Sequence, residues 1–398
     1  MYERGRVELS KRLPNLAVRG FKYAGVTAGL KKSGAPDLGL ILADSPVAAA
    51  GLFTRNRARA APVKLSERRL RGGTCQAIVV NSGCANACTG AAGMRDARIA
   101  SQLAARALGV DEEHLCIAST GVIGRRLDLD KIAAALPALA ARARPTAGMT
   151  FARAIMTTDR GPKVAAARTR VCTVVGVAKG AGMIAPDMAT MLAFVLTDAR
   201  VAPPALRELL REVTGETFNA ISVDGDTSTN DSVFVLASGR ASRAGVAQLR
   251  PLLRRVMREL AEAIVRDGEG ATKVVEIAVE EARSTREARA VARRVALSPL
   301  VKTAFFGADP NWGRIACAVG NAGVALDMRR LAIDIGGVSV VRDGVPVEGD
   351  SVAARAHEVM RRPSYRIRVG LGRGGARAAV STCDLSYEYV RINAEYTT

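Results

Sequence analysis

Lys179-Gly180-Ala181-Gly182-Met183-Ile184-Ala185-Pro186-Asp187-Met188-Ala189-Thr190-Met191-Leu192-Ala193 is a glycine- and proline-shaped approach to one hydroxyl, Thr190, which opens an apolar run ending at Leu196. Residues 171–178 and 190–196 read as apolar strands on either side of this turn. Thr190 as a plain strand residue is the simpler reading. Thr190 as a nucleophile beside a lysine is the sharper one. If the backbone were cut before Thr190, its α-amine, with an ordinary pKa of roughly 8, would act as base next to its own hydroxyl. Attack of the Thr190 hydroxyl on the Ala189 carbonyl would turn amide into ester, and hydrolysis would free that amine. Gly182 and Pro186 are suited to holding the turn in the geometry this needs.

Outward from this turn, strands alternate with helices. Residues 37–43 read as a buried strand and 77–80 as a short apolar strand running into Asn81-Ser82-Gly83. Residues 95–108 form a helical face, and 115–118 a strand that ends at Ser119-Thr120-Gly121. The glycine there admits close approach of backbone N–H groups, as an oxyanion hole requires, or simply makes a turn. Leu249, Leu252, Leu253, Val256, Met257, Leu260 and Ile264 recur at three and four, predicting a helix over 246–264. A strand over 274–279 and a helix over 284–295, capped by Ser284 or Thr285, follow. Leu385, Tyr387 and Tyr389 alternate as in a half-buried strand. Such interleaving implies stacked α and β layers, and 398 residues exceed one core, so two lobes are expected. Outside the Thr190 region, residues 297–311 are the candidate boundary.

Composition excludes several classes of function. No run of eighteen apolar residues exists, so no membrane partner is expected. Met1-Tyr2-Glu3-Arg4-Gly5-Arg6 leads into no signal-peptide core, which makes the cytoplasm the expected compartment. Seven scattered cysteines predict no disulfide framework, and Cys84-x-x-x-Cys88 has no neighbouring pair or histidine to complete a zinc site. No metal is expected. The net charge of +20 invites a nucleic-acid partner, but the arginines are dispersed and no aromatic-rich strand offers a stacking platform, so none is expected. The two histidines, His114 and His357, stand in neither metal nor triad spacing, which favours a nucleophile that needs no histidine. Asp224-Gly225-Asp226-Thr227-Ser228-Thr229-Asn230-Asp231 lacks calcium-loop spacing and reads as a side-chain-capped turn. Gly370-Leu371-Gly372-Arg373-Gly374-Gly375 matches a dinucleotide fingerprint formally, yet opens no βαβ unit and reads as a hairpin loop.

Taken together, the ordered motifs resemble the glutamate N-acetyltransferase/ornithine acetyltransferase family of arginine biosynthesis over essentially the whole chain. Landmarks are Gly51-Leu52-Phe53-Thr54, Asn81-Ser82-Gly83, Ser119-Thr120-Gly121-Val122-Ile123-Gly124, Ile155-Met156-Thr157-Thr158-Asp159, residues 179–192, the 222–231 acidic stretch, Gly307-Ala308-Asp309-Pro310-Asn311-Trp312-Gly313 and Ile392-Asn393-Ala394-Glu395-Tyr396-Thr397-Thr398. The resemblance implies an α+β fold of N-terminal-nucleophile-like type, stacked α-β-β-α, with an additional smaller α/β domain. It implies self-cleavage between Ala189 and Thr190 into an α chain (1–189) and a β chain (190–398) that assemble as a heterotetramer of two each. Acetyl would pass from N2-acetyl-L-ornithine to Thr190 and on to L-glutamate. No cofactor is implied, although some relatives also take acetyl from acetyl-CoA. By position, Thr120 and Gly121 carry the oxyanion role, while Thr157, Lys179, Glu269, Asn393 and Thr398 contact substrate alongside Thr190. Lysine suits a substrate carboxylate and glutamate an ammonium group. Two residues depart from the family pattern: Cys84 stands where relatives commonly have Asn, and Asp187 where many have another polar residue. The rival classes are an N-terminal-nucleophile amidohydrolase or aminopeptidase, and a basic nucleic-acid-binding protein.

Overall fold

The computed structural model describes residues 15–185 and 191–395. Its first sheet contains β1 (Phe21–Val26), β2 (Leu38–Phe53), β3 (Thr74–Cys84), β4 (Leu115–Val122), β5 (Lys163–Arg168), β6 (Thr173–Lys179), β7 (Leu192–Ala199) and β9 (Ser232–Ala241), the last following β8 (Ile221–Ser222) of the second sheet. The order is β4-β3-β2-β9-β7-β6-β5, with β1 on β2. Strand β2 joins the two halves. Its first part pairs with β1 and β3, its register breaks between Leu42 and Val47, and its last part pairs with β9. The break spans the exposed Asp44-Ser45-Pro46, where proline has no N–H to give the ladder. The strand predicted over 37–43 is therefore only the first half of a longer one.

Alternation along these strands sorts their side chains into layers. Leu38, Leu40, Val79 and Ile117 face α2 (Gly90–Leu108) and α3 (Leu129–Ala141). Their neighbours Ile41, Ile78, Val80 and Cys116 turn inward and share a core with Val175, Val177, Phe194 and Phe234 from the other half of the sheet. At its centre the rings of Phe194 and Phe234 stack 5.4 Å apart, and Phe151 meets Phe194 edge-on at 5.2 Å. The opposite face of that half, through Val174, Val195 and Val235, packs on α5 (Pro203–Glu216) and α6 (Val246–Arg266). The layers run helix, half-sheet, half-sheet, helix, the stacked order that the resemblance implied. Strand β7 has core on both sides and is buried along its whole length.

The expected additional α/β unit is present. A seven-stranded sheet, β13-β12-β11-β14-β10-β15-β8, is completed by β10 (Val274–Ala282), β11 (Ala332–Ile335), β12 (Val338–Arg342), β13 (Val345–Pro346), β14 (Ser364–Gly370) and β15 (Ala376–Cys383). Helices α7 (Thr285–Ala296), α8 (Pro299–Phe306), α9 (Trp312–Gly320) and α10 (Asp350–Met360) cover it. Ser284 caps α7 by accepting the Glu287 N–H at 3.2 Å. No described helix is long and apolar enough to cross a membrane.

Three expectations fail. The alternation at 385–389 is not a strand: Tyr387–Glu395 is a helix, α11, and Tyr387 is 84% exposed. Asp384 ends the preceding strand by accepting the backbone N–H groups of Thr272 and Lys273. Residues 297–311 are not a boundary, because Ser298 caps α8, Pro299 starts it, and Val301 and Phe305 enter the second core. Residues 370–375 are not a hairpin loop, since β10 lies between β14 and β15 and pairs with both. The loop crosses the end of β10 so closely that a Cβ at Gly374 would meet the Ala282 carbonyl oxygen at 2.7 Å.

Candidate active site

Parallel strands β3 and β4 end side by side, with Gly83 opposite Gly121. Gly121 has φ +125°, and a Cβ there would stand 2.4 Å from the Gly83 carbonyl carbon, so the approach demands glycine. On the neighbouring half-sheet, the last residue of β6, Lys179, pairs with the first of β7, Leu192. These strand ends open on a cavity of about 140 Å³. Thr120, Gly121, Thr157, Lys179, Glu269 and Asn393 all line it. Six site residues expected from sequence, spread over more than 270 positions, are thus brought together. Ala189, Thr190 and Thr398 lie outside the described residues, as does Asp187. Met191, next in the chain to Thr190, is on the cavity wall.

The charge at this cavity is organised from beneath. Lys179 is 9% exposed, and its Nζ donates to Thr120 Oγ1 at 3.2 Å. Burial lowers the Lys179 pKa, and the carboxylate of Asp159 opposes that shift. Asp159 Oδ1 accepts from Lys163 Nζ at 2.6 Å and from the Gly180 N–H at 2.7 Å, while Oδ2 accepts the Thr157 N–H at 2.9 Å. Lys163 reaches Asp267 Oδ2 at 2.5 Å as well. Burial alone would raise the Asp159 pKa, but Lys179, Lys163 and the Thr157 N–H outweigh it and bring the carboxyl down to about 2. One carboxylate therefore fixes the backbone at two cavity residues and sets the field at a third.

Opposite stands Glu269, which accepts from Asn393 Nδ2 at 3.0 Å. The carboxylate fits because Gly182 has no side chain: a Cβ there would come within 2.4 Å of Glu269 Oε2. Asn393 belongs to α11, so the helix misread as a strand is the element that delivers it, together with Tyr389. The acidic stretch does more than cap its own turn. Asp224 accepts the N–H groups of Met183 at 2.5 Å and Ile184 at 2.8 Å, holding Met183 at the left-handed φ of +57°. Asn230 donates to the carbonyls of Ala85 at 2.7 Å and Ser119 at 2.8 Å, binding the stretch to the end of β4. Asp231 also lines the cavity, and burial pushes its carboxyl well above the usual range. Asp224 and Asp231 stand among the family landmarks without an expected place in the site, and Lys163 and Tyr389 are site residues that no motif marks.

Cys84 points away from the cavity, its thiol 3.3 Å from the Arg125 carbonyl. His114 pairs with Thr74 and His357 with the Ala308 carbonyl, and neither lines the cavity. A hydroxyl and a close-approach glycine at the strand ends, a buried lysine and a carboxylate across a small cleft are the residue types that recognition of an amino acid around a carbonyl calls for.

Comparison with known proteins shows the family. An arginine biosynthesis bifunctional protein ArgJ from Syntrophotalea carbinolica is 48% identical, over 96% of this chain and 99% of its own. The protein of the same name from Thermosynechococcus vestitus is 47% identical, over 96% and 97%. A crystal structure of the arginine biosynthesis bifunctional protein argJ from Bacillus halodurans aligns with 41% identity and a TM-score of 0.49, covering 51% of this chain and 98% of that one. The ArgJ family profile matches residues 22–398, and the chain belongs to the ArgJ family.

Proposed function

We propose that the cavity transfers acetyl from N2-acetyl-L-ornithine to L-glutamate through an ester on Thr190, an arginine-biosynthesis step. The observation that carries this is the convergence of Thr120, Gly121, Lys179, Glu269 and Asn393 on one cleft whose wall includes Met191. The chain is first cut between Ala189 and Thr190, giving an α chain (1–189) and a β chain (190–398). The free α-amine of Thr190 then takes the proton from its own hydroxyl as Oγ attacks the acetyl carbonyl. Negative charge develops on the carbonyl oxygen near the Thr120 hydroxyl and the Gly121 backbone. Because the Lys179 ammonium donates to Thr120 Oγ1, the Thr120 hydroxyl hydrogen is available to that oxyanion. Collapse breaks the C–N bond and ornithine leaves with the proton. Glutamate then enters, its amine attacks the ester, the acyl C–Oγ bond breaks, Thr190 Oγ recovers a proton from the amine, and acetylglutamate departs.

Lys179 suits the α-carboxylate common to both amino acids, and Glu269 suits the distal ammonium of ornithine. Acetyl-CoA feeds the same ester as a second donor, its C–S bond breaking and its thiol leaving. The functional unit is a cytoplasmic heterotetramer of two α and two β chains. The test is acetylglutamate formation by cleaved enzyme given glutamate with acetylornithine or with acetyl-CoA, alongside acetate release without glutamate. Transfer with both donors supports the reading. Rapid acetate release that glutamate leaves unchanged would make the protein a hydrolase.

A further inference from the structure

A second cleft, of about 680 Å³, lies at the C-terminal end of β2. Its rim carries Arg55, Arg57, Arg59, Arg71, Arg207 and Arg211, against one carboxylate, Glu67, among the described residues. Glu67 is engaged by Arg59 at 2.9 Å. Arg57, Arg71 and Arg211 make no ion pair or side-chain hydrogen bond among the described residues. These arginines come from three places: the loop after β2, the turn after helix Ala61–Arg69, and α5. Guanidinium groups converging on a concavity repel one another and focus a positive field that a multivalent anion would neutralise. Phe53 and Leu70 give the same cleft an apolar surface.

The position is as informative as the charge. Residues 227–231 form a partition between the two clefts. Ser228, Thr229, Asn230 and Asp231 line the acyl cavity. On the other side, Thr54 Oγ1 donates to the Ser228 carbonyl and Asn56 Nδ2 to the Thr227 carbonyl, both at 2.8 Å, and Thr54 and Asn56 line the arginine cleft. A ligand that fits both sides has several phosphates for the arginines, a flat base for the apolar surface and a slender arm that carries an acyl group over the partition. We propose that the arginine cleft binds the phosphorylated nucleotide end of an acyl-CoA thioester. This rests on acetyl-CoA serving as a donor, as in the proposed function.

The test uses cleaved full-length enzyme and an Arg57→Gln/Arg211→Gln variant, neither residue lining the acyl cavity. Binding of CoA and of ATP is measured by calorimetry, and both acetyl donors are assayed. The variant should lose CoA affinity about tenfold or more, and its KM for acetyl-CoA should rise by the same factor, as expected for lost charged hydrogen bonds to phosphate. Its kcat and KM with acetylornithine should stay within about twofold of wild type. CoA should bind more tightly than ATP, since only CoA carries the arm. Unchanged CoA affinity in the variant, ATP binding as tight as CoA, or an equal loss with acetylornithine would each overturn the assignment. If wild type transfers acetyl from acetylornithine but does not bind CoA, the cleft assignment fails while the acetyltransferase reading stands. Absence of transfer from acetylornithine would instead count against that reading.

Discussion

Asp159 and Lys163 meet at 2.6 Å with side chains 0% and 3% exposed, beneath the cavity that Lys179 lines. On the second sheet, Arg368 meets Glu280 and Glu281 at 2.6 Å and Asp334 at 3.1 Å, with side-chain exposures between 22% and 45%. The distances are alike, but the surroundings are not. Water screens the Arg368 cluster, so each of its pairs contributes little. The Asp159 cluster has given up its hydration, and its members tolerate burial only in each other's company. It also has work beyond stability, because Asp159 holds the Thr157 and Gly180 N–H groups and stabilises the charge on Lys179.

Asp159→Asn should expose this difference most sharply, because it removes the carboxylate that Lys163 and Lys179 share and leaves Lys163 with Asp267 alone. We expect a loss of about 3–5 kcal/mol in denaturant unfolding. Replacing both partners, Asp159→Asn with Lys163→Met, should recover part of that stability without restoring acetyl transfer. A single-variant loss below about 1 kcal/mol would erase the contrast with the exposed cluster.

Thr120→Ala removes the hydroxyl that Lys179 orients. Loss of one such donor lowers kcat about 10²–10³-fold. The KM for acetylornithine should change far less, and a change in KM alone would move Thr120 into ground-state binding.

Acid should separate the clusters next. Asp159 is held at about 2 against an ordinary 3.8, so it stabilises the fold above the unfolded value and loses that contribution as pH falls through about 2. The stake is about 2 kcal/mol, lost between roughly pH 4 and pH 2. Wild type should show this slope in urea midpoint against pH, and Asp159→Asn should lack it. Arg368→Ala should have the smallest effect, at most about 1 kcal/mol and shrinking further as salt is raised. A loss of several kcal/mol there would show that exposure is a poor guide to what an ion pair contributes.

What the sequence disclosed and what it concealed divide along the same physical line. Lys179, Thr120 and Gly121 were legible as cavity-lining because strand and turn follow one another in the chain. The helix over 246–264 was legible because its period persists for five turns, and α6 runs Val246–Arg266. The partnership of Lys163 with Asp267, 104 residues away, has no local signature. Strand β2 appeared to stop at Ala43 because Asp44-Ser45-Pro46 is polar and exposed, though the strand resumes on the other half of the sheet. At 385–389, three alternating residues were too few to distinguish a strand from the entry to a helix. Asp231 looked like one more turn carboxylate, and only the packing of β9 beside β7 buries it.

The covalent intermediate on Thr190 is the decisive observable. Cleaved enzyme would be incubated with acetylornithine alone, quenched in acid and analysed by intact mass and peptide mapping. Two chains are expected, with one acetyl group on the chain that begins at Thr190, removed when glutamate is added and appearing as acetylglutamate. Active material that is uncut, or cut material that transfers acetyl at full rate with no acetyl ever found on Thr190, would contradict that expectation.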